Sequence, residues 1–235
     1  MAAGDSSLPA GRRLESLRSA RSAAVAGLIF AVTLVAVLVL FRSAFPMDGL
    51  TEQGATPTPE ALDRGRWALI LLPYAGIAFI WFMAALNYSL GHADHRLFTT
   101  VFLASGIIFV GLAFVAGAVA SAELEAYIRG IDLSGSSRII PGTTVNALLA
   151  NYASRMAAVF CLSLATFGRV RKLMPSWLTI LGTLTGLFLL LVPFGVRYVE
   201  YVFPIWVAIV SVYLIVTDPG GRWRDAQQAQ EQEQD

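Results

Sequence analysis

Three observations predict that this sequence forms an all-α, polytopic membrane protein, a six-transmembrane-helix bundle with both termini cytoplasmic. The composition is 56% hydrophobic and only 14% charged over 235 residues, with a mean hydropathy of +0.65, well above the apolar share of a soluble domain. The apolar residues fall into six blocks of 20 to 26 residues, at about 23–42, 67–89, 97–120, 142–167, 176–195 and 198–217. As a helix, each is long enough to cross a hydrocarbon core of about 30 Å at about 1.5 Å per residue. Period-two alternation is absent, and a backbone in lipid must satisfy its own hydrogen bonds, so helices are the spanning element. Three regions follow: a polar, basic cytoplasmic segment at 1–22, the transmembrane domain at 23–217, and a Gln- and Glu-rich cytoplasmic tail at 218–235 that is expected to be mobile.

The elements follow in order. Arg12, Arg13, Arg18 and Arg21 precede the first block as they would in a secretory signal peptide. The run from Ala23 to Phe41 is longer than a signal h-region, however, and Arg42-Ser-Ala-Phe-Pro offers no small-x-small cleavage site, so this block is read as a retained helix. Basic residues in the flanks set the orientation. With the N-terminus inside, the cytoplasmic flanks hold ten, among them Arg96, Arg169, Arg171 and Lys172, and the outer flanks hold six: Arg42, Arg64, Arg66, Arg129, Arg138 and Arg197. The cytoplasmic (inner) membrane is the expected location. Thr58 is placed to cap a second helix begun by Pro59, with Glu60 in its first turn and Trp67 at the membrane boundary. The loop with His92, Asp94, His95 and Arg96 is read as solvated, because two histidines do not complete a metal site. Small residues at Ala113, Gly117 and Ser121, and at Gly182 and Gly186, predict close packing of helices within the bundle. The stretch from Ser121 to Gly142, with Gly130, Gly135 and Pro141 as breakers, predicts a small cap over the outer face.

One full charge lies inside an apolar block. Arg155 sits near the middle of 142–167, where an arginine costs about 3 kcal/mol on insertion scales and must face other helices or a wet cavity. Thr144, Asn146, Asn151 and Tyr152 precede it, so the outer half of this helix is too polar for lipid. Pro73, Pro193 and Pro204 fall in the same half. Each withdraws a helix donor, from the carbonyls of Leu69, Leu189 and Glu200, and tends to bend its helix. Together these predict an outward-facing polar pocket lined by Asn146, Asn151, Tyr152 and Arg155, with Arg197 and Glu200 at its mouth beside Tyr198 and Tyr201. Arg155, at its floor, has the fork geometry for a carboxylate or phosphate. The structural reading of the same residue is a strut, bonded to loosened carbonyls or to asparagine. A direct ion pair with Glu200 would need a register shift or a break at Pro204, because about 18 Å of helix separates Thr143 from Arg155.

The composition also excludes several classes. Cys161 is the only cysteine, so an intrachain disulfide, a CxxC pair and a cysteine metal cage are ruled out. A net charge of +1 with basic residues spread over the flanks argues against nucleic acid as a partner. No HExxH or GxSxG occurs and no histidine lies in a spanning block, so no catalytic residue, metal or cofactor is predicted. Glu123, Glu125 and Glu200 outside the membrane leave a lipid-modifying enzyme as the weakest alternative.

The run Asn151-Tyr-Ala-Ser-Arg155-Met-Ala-Ala-Val-Phe160, with Pro175-Ser-Trp177-Leu, Phe203-Pro-Ile-Trp206-Val and Val210-Ser-Val-Tyr213, resembles multi-pass membrane proteins of actinobacterial type that have no established activity. The resemblance covers most of the bundle and implies no functional residue. The function expected from the residues is binding or transport of a small anionic molecule or lipid headgroup. The alternative is a non-catalytic structural or regulatory subunit with a membrane-protein partner.

Overall fold

The computed structural model describes residues 10–44, 58–89, 96–131, 136–170, 174–193, 196 and 198–216. Among them every regular element is helical. The order is α1 (Ala10–Ala44), α2 (Pro59–Ser89), α3 (Arg96–Ile128) and α4 (Ser136–Asn146), which runs through a π-helical stretch (Ala147–Ala153) into α5 (Ser154–Val170). Then come α6 (Ser176–Leu191), a 3-10 turn (Val199–Tyr201) and α7 (Val202–Val216). Five helical segments are long and apolar enough to cross a membrane: Ser22–Ala44, Pro59–Asn87, Thr99–Ile128, Pro141–Arg169 and Val199–Val216. The fifth sequence block forms the shorter helix Ser176–Leu191.

Pro193 is the reason for that shortness. A residue before proline is pushed out of the helical region by the ring, and Val192 is extended at φ −56° and ψ 129°. α6 therefore stops after 16 residues, about 24 Å of rise against a hydrocarbon core of about 30 Å. One of the other two prolines departs from expectation. Pro73 lies inside α2, but Pro204 falls in the first turn of α7, where its missing N–H breaks no helix bond. Pro141, expected to break the chain, is inside α4, and α3 runs on to Ile128. The cap expected over 121–142 is thereby reduced to the connection between α3 and α4. At the start of α2 the Ala61 N–H reaches the Thr58 carbonyl at 2.9 Å and its Oγ1 at 3.3 Å, so Thr58 does cap that helix. α1 begins at Ala10, within the segment expected to precede it. His92, Asp94, His95, Arg171, Lys172, Arg197 and the tail 218–235 lie outside the described residues.

α1 packs along α2 and α7, α2 on α3, α3 on α5, and α5 on α7, which closes a ring; α6 lies against α5 and touches α7. In lipid the helices gain no hydrophobic free energy by associating, so their cohesion comes from contact itself. The ring is filled with phenylalanine. Phe79 of α2 is fully buried and meets Phe30 of α1 at 4.5 Å, Phe109 of α3 at 5.5 Å, Phe160 of α5 at 5.2 Å and Phe203 of α7 at 5.6 Å between ring centroids. These separations suit aromatic pairs, each contributing roughly 0.5–1.5 kcal/mol beyond burial. Glycines admit the close approaches. A Cβ on Gly186 would stand 3.0 Å from the Ala158 carbonyl oxygen, and one on Gly182 would stand 3.2 Å from Ala165 and from Trp206. The small face of α6 thus seats on α5, and Gly117 of α3 likewise admits Leu72 of α2.

Candidate functional site

α5 and α6 form an antiparallel pair, with Gly182 against Ala165 and Gly186 against Ala158. Carried one step further, this register sets the end of α6 beside Arg155. The Arg155 Nη2 donates to the Val192 carbonyl at 3.3 Å and its Nη1 donates to the Asn151 carbonyl at 2.8 Å. Both acceptors follow from local backbone. A π-helical stretch widens the turn by one residue and loosens its carbonyls. Side chains feed them here, since the Ser154 hydroxyl donates to the Leu149 carbonyl at 3.0 Å and Arg155 donates to Asn151. Val192 is the residue just past α6, so its carbonyl belongs to the negative end of that helix, where a cation is favoured. Arg155 therefore caps α6 from the neighbouring helix. Pro193 has no N–H to give the Leu189 carbonyl, and because the helix ends before the proline the carbonyl that Arg155 takes is that of Val192.

Depth follows from the same helix. Arg155 and Arg169 are both on α5 and 14 residues apart, which is about 21 Å of rise. With Arg169 exposed at one end, Arg155 stands well past the middle of a core about 30 Å thick.

A second charged group occupies the same end of the bundle. Arg42, in the last turn of α1, donates from Nε at 2.7 Å and from Nη2 at 2.5 Å to Oε1 of Glu200 in the 3-10 turn before α7. Each charge complements its own helix dipole, the cation at a C-terminus and the carboxylate at an N-terminus. The pair is sheltered, with side-chain exposures of 17% and 9%. The other oxygen, Oε2 of Glu200, is buried without a hydrogen-bond partner among the described residues. The Tyr198 ring lies under Arg42, 4.5 Å from its guanidinium carbon, and 6.0 Å from the Tyr201 ring. Tyr198 has φ 69°, the one positive φ at a non-glycine among the described residues, a conformation that costs about 1–2 kcal/mol. Its carbonyl accepts the Tyr201 N–H at 3.2 Å, and the stacked arginine holds its ring.

The residues expected to line a pocket are thus distributed over two groups. Asn151 is buried and joins Arg155 through its backbone, Asn146 is half-buried one turn further out, and Tyr152 is 57% exposed. Glu200 bonds Arg42, so the pair considered with Arg155 is made with another arginine. The π-helical stretch packs on the 3-10 turn, which makes the two groups neighbours. Of the outer carboxylates, Glu125 binds Arg129 at 2.7 Å on the exposed side. Sequence reasoning missed the role of Arg42, which it counted only as a flanking charge. The available signal was a basic residue ending the first span and an acidic one opening the last, both assigned to the same side. No protein-family model matches the chain, and comparison with curated proteins and with solved structures finds no significant match.

Proposed function

We propose that the protein is a non-enzymatic, multi-pass protein of the cytoplasmic membrane that binds a small anionic molecule or lipid headgroup at the end of the bundle holding Arg42 and Arg155. In this reading α6 is the sixth membrane element and both termini are cytoplasmic. The observation that supports it is the setting of Arg155: a permanently charged guanidinium, oriented by two neutral carbonyls, at the point where α6, shorter than the five long apolar segments, stops. Membrane arginines so placed mark ligand sites or internal struts. Binding is favoured over passage, because below this end the ring is filled by Phe30, Phe79, Phe109, Phe160 and Phe203.

The second reading, a structural or regulatory subunit of a membrane complex, draws on the Arg155 to Val192 bond, which ties α5 to α6. Native mass spectrometry of the gently solubilised protein distinguishes them. A binding protein retains an anionic ligand that is lost in Arg155→Ala and loses no more than modest stability in Arg155→Lys. A strut loses stability in both variants and carries a stoichiometric protein partner or nothing.

A further inference from the structure

α2 turns an aromatic stripe to the outside of the ring. Trp67, Ile70, Tyr74, Ile77 and Trp81 follow one another at alternating intervals of three and four residues, and all five are exposed. That spacing keeps one seam of a helix in line over several turns. Trp67, beside Arg66, stands where aromatic rings anchor a helix at the membrane boundary. Tyr74 does not. It lies eight residues past the exposed Arg66, about 12 Å of rise, which is well inside a core of about 30 Å. Its side of the helix faces outward, with Tyr74 60% exposed. No hydrogen bond joins its hydroxyl to another described residue, and lipid chains offer no acceptor.

An acceptor lies on the same helix one position away. Pro73 has no N–H to give the Leu69 carbonyl, which points up the helix toward that proline, and Pro73 is itself exposed. One copy of α2 does not join the two groups, because the Tyr74 ring carries its hydroxyl away from its own backbone. Two copies can. Both insert in the membrane the same way, so a twofold axis along the membrane normal sets α2 beside α2 in parallel, and each contact occurs twice. In such a pair a ring at the Tyr74 position enters the hole bordered by Ile70, Pro73, Tyr74 and Ile77 of the facing helix. Helical side chains lean toward the N-terminus, which lowers the hydroxyl to the level of the facing Leu69 carbonyl.

Area and charge suit the same pairing. Trp67, Tyr74 and Trp81 each expose more than half of their surface. At roughly 150–250 Å² per ring they offer roughly 300–450 Å² together, about half of the roughly 800 Å² that each partner gives to a stable interface, before the isoleucines are counted. Beyond the membrane the helix carries Glu60, Asp63, Arg64 and Arg66, all exposed. Acidic and basic groups are equal in number there, and Asp63 already approaches Arg66 at 3.9 Å, so a second copy meets no net repulsion.

We infer that the stripe is covered by a second copy of this chain, in a parallel twofold pair of α2 helices in which each Tyr74 hydroxyl donates to the Leu69 carbonyl of the other copy. This surface is independent of the Arg155 site.

The test is oxidative cross-linking of the full chain in phosphatidylcholine vesicles, with the dissociation constant of the pair measured by native mass spectrometry in mild detergent. Cys161, the only cysteine, is buried and gives no background. Ile77→Cys, on the seam, should cross-link to itself, and Ile108→Cys, exposed on α3, should not. Tyr74→Phe keeps the ring and removes the donor, so it should raise the dissociation constant about five- to tenfold, the effect of losing two hydrogen bonds between membrane helices. Pro73→Ala returns a donor to Leu69 and should weaken the pair by a similar factor, and the double variant should be no weaker than either single one. A monomer at every concentration would overturn the inference and leave the stripe to lipid. So would a cross-link at Ile108→Cys in place of Ile77→Cys, a pair unaffected by Tyr74→Phe, or a partner of another mass on the chain.

Discussion

Arg42→Ala isolates the pair at the mouth of the site. Glu200 is 9% exposed, and both of the arginine bonds end on its Oε1. Removing Arg42 leaves a sheltered carboxylate with neither of its described donors, a change that costs about 3–5 kcal/mol where burial is full. At a partly wet bundle end, with an effective dielectric near 20, two charges about 4 Å apart interact by about 4 kcal/mol. The two routes agree, and the 17% exposure of Arg42 points to the lower part of the range, about 3 kcal/mol. For a chain of this size that is a fall in Tm of roughly 6–12 °C. Glu200→Gln keeps an acceptor for Arg42 and removes the charge, so it should cost only about 1–2 kcal/mol. The double variant Arg42→Ala with Glu200→Gln should melt higher than Arg42→Ala alone, because no buried charge remains. Thermal unfolding in mild detergent at constant ionic strength, followed by fluorescence of the five tryptophans, reads all three. The reasoning is refuted by a loss below about 1 kcal/mol in Arg42→Ala, as for a solvated pair, or by a double variant that melts lower than either single one.

Three further outcomes follow from the packing. Phe79→Ala empties the centre of the ring and should cost about 3–5 kcal/mol, with Phe79→Leu costing less, in the same unfolding assay. Gly186→Ala forces a Cβ to within 3.0 Å of the Ala158 carbonyl and should cost about 1–3 kcal/mol, whereas Gly111→Ala, with nothing within 4 Å, should be neutral or stabilising by up to about 1 kcal/mol. Equal effects at the two glycines would show that α6 does not sit on α5 as described. Pro193→Ala should let α6 continue past Leu191, so that the Val196 N–H takes the Val192 carbonyl; hydrogen exchange at Val196 then slows, and unchanged exchange would show that something other than the proline ends the helix.

The membrane class, the apolar blocks and the singular position of Arg155 were legible in the sequence, because each depends on composition and one-dimensional spacing. Thr58 as a cap was legible for the same reason: capping is local. What Pro193 and Pro204 do depends on where a helix begins and ends, and an apolar run does not mark those ends; 176–195 reads as a full span until the residue before the proline is seen to be extended. The partners of the charged residues were further from reach. Arg42 and Glu200 are 158 positions apart, and nothing in the spacing of either span indicates that the first and last long helices lie side by side. The sequence by itself determined that the chain is a helical membrane protein with one deeply placed arginine, since long apolar blocks without period-two alternation can cross lipid only as helices and lipid penalises that charge. Only the tertiary structure decided which carbonyls Arg155 meets and which cation holds Glu200, because those depend on the register of one helix against another, set by glycines that admit close approach and by five phenylalanines that fill the ring.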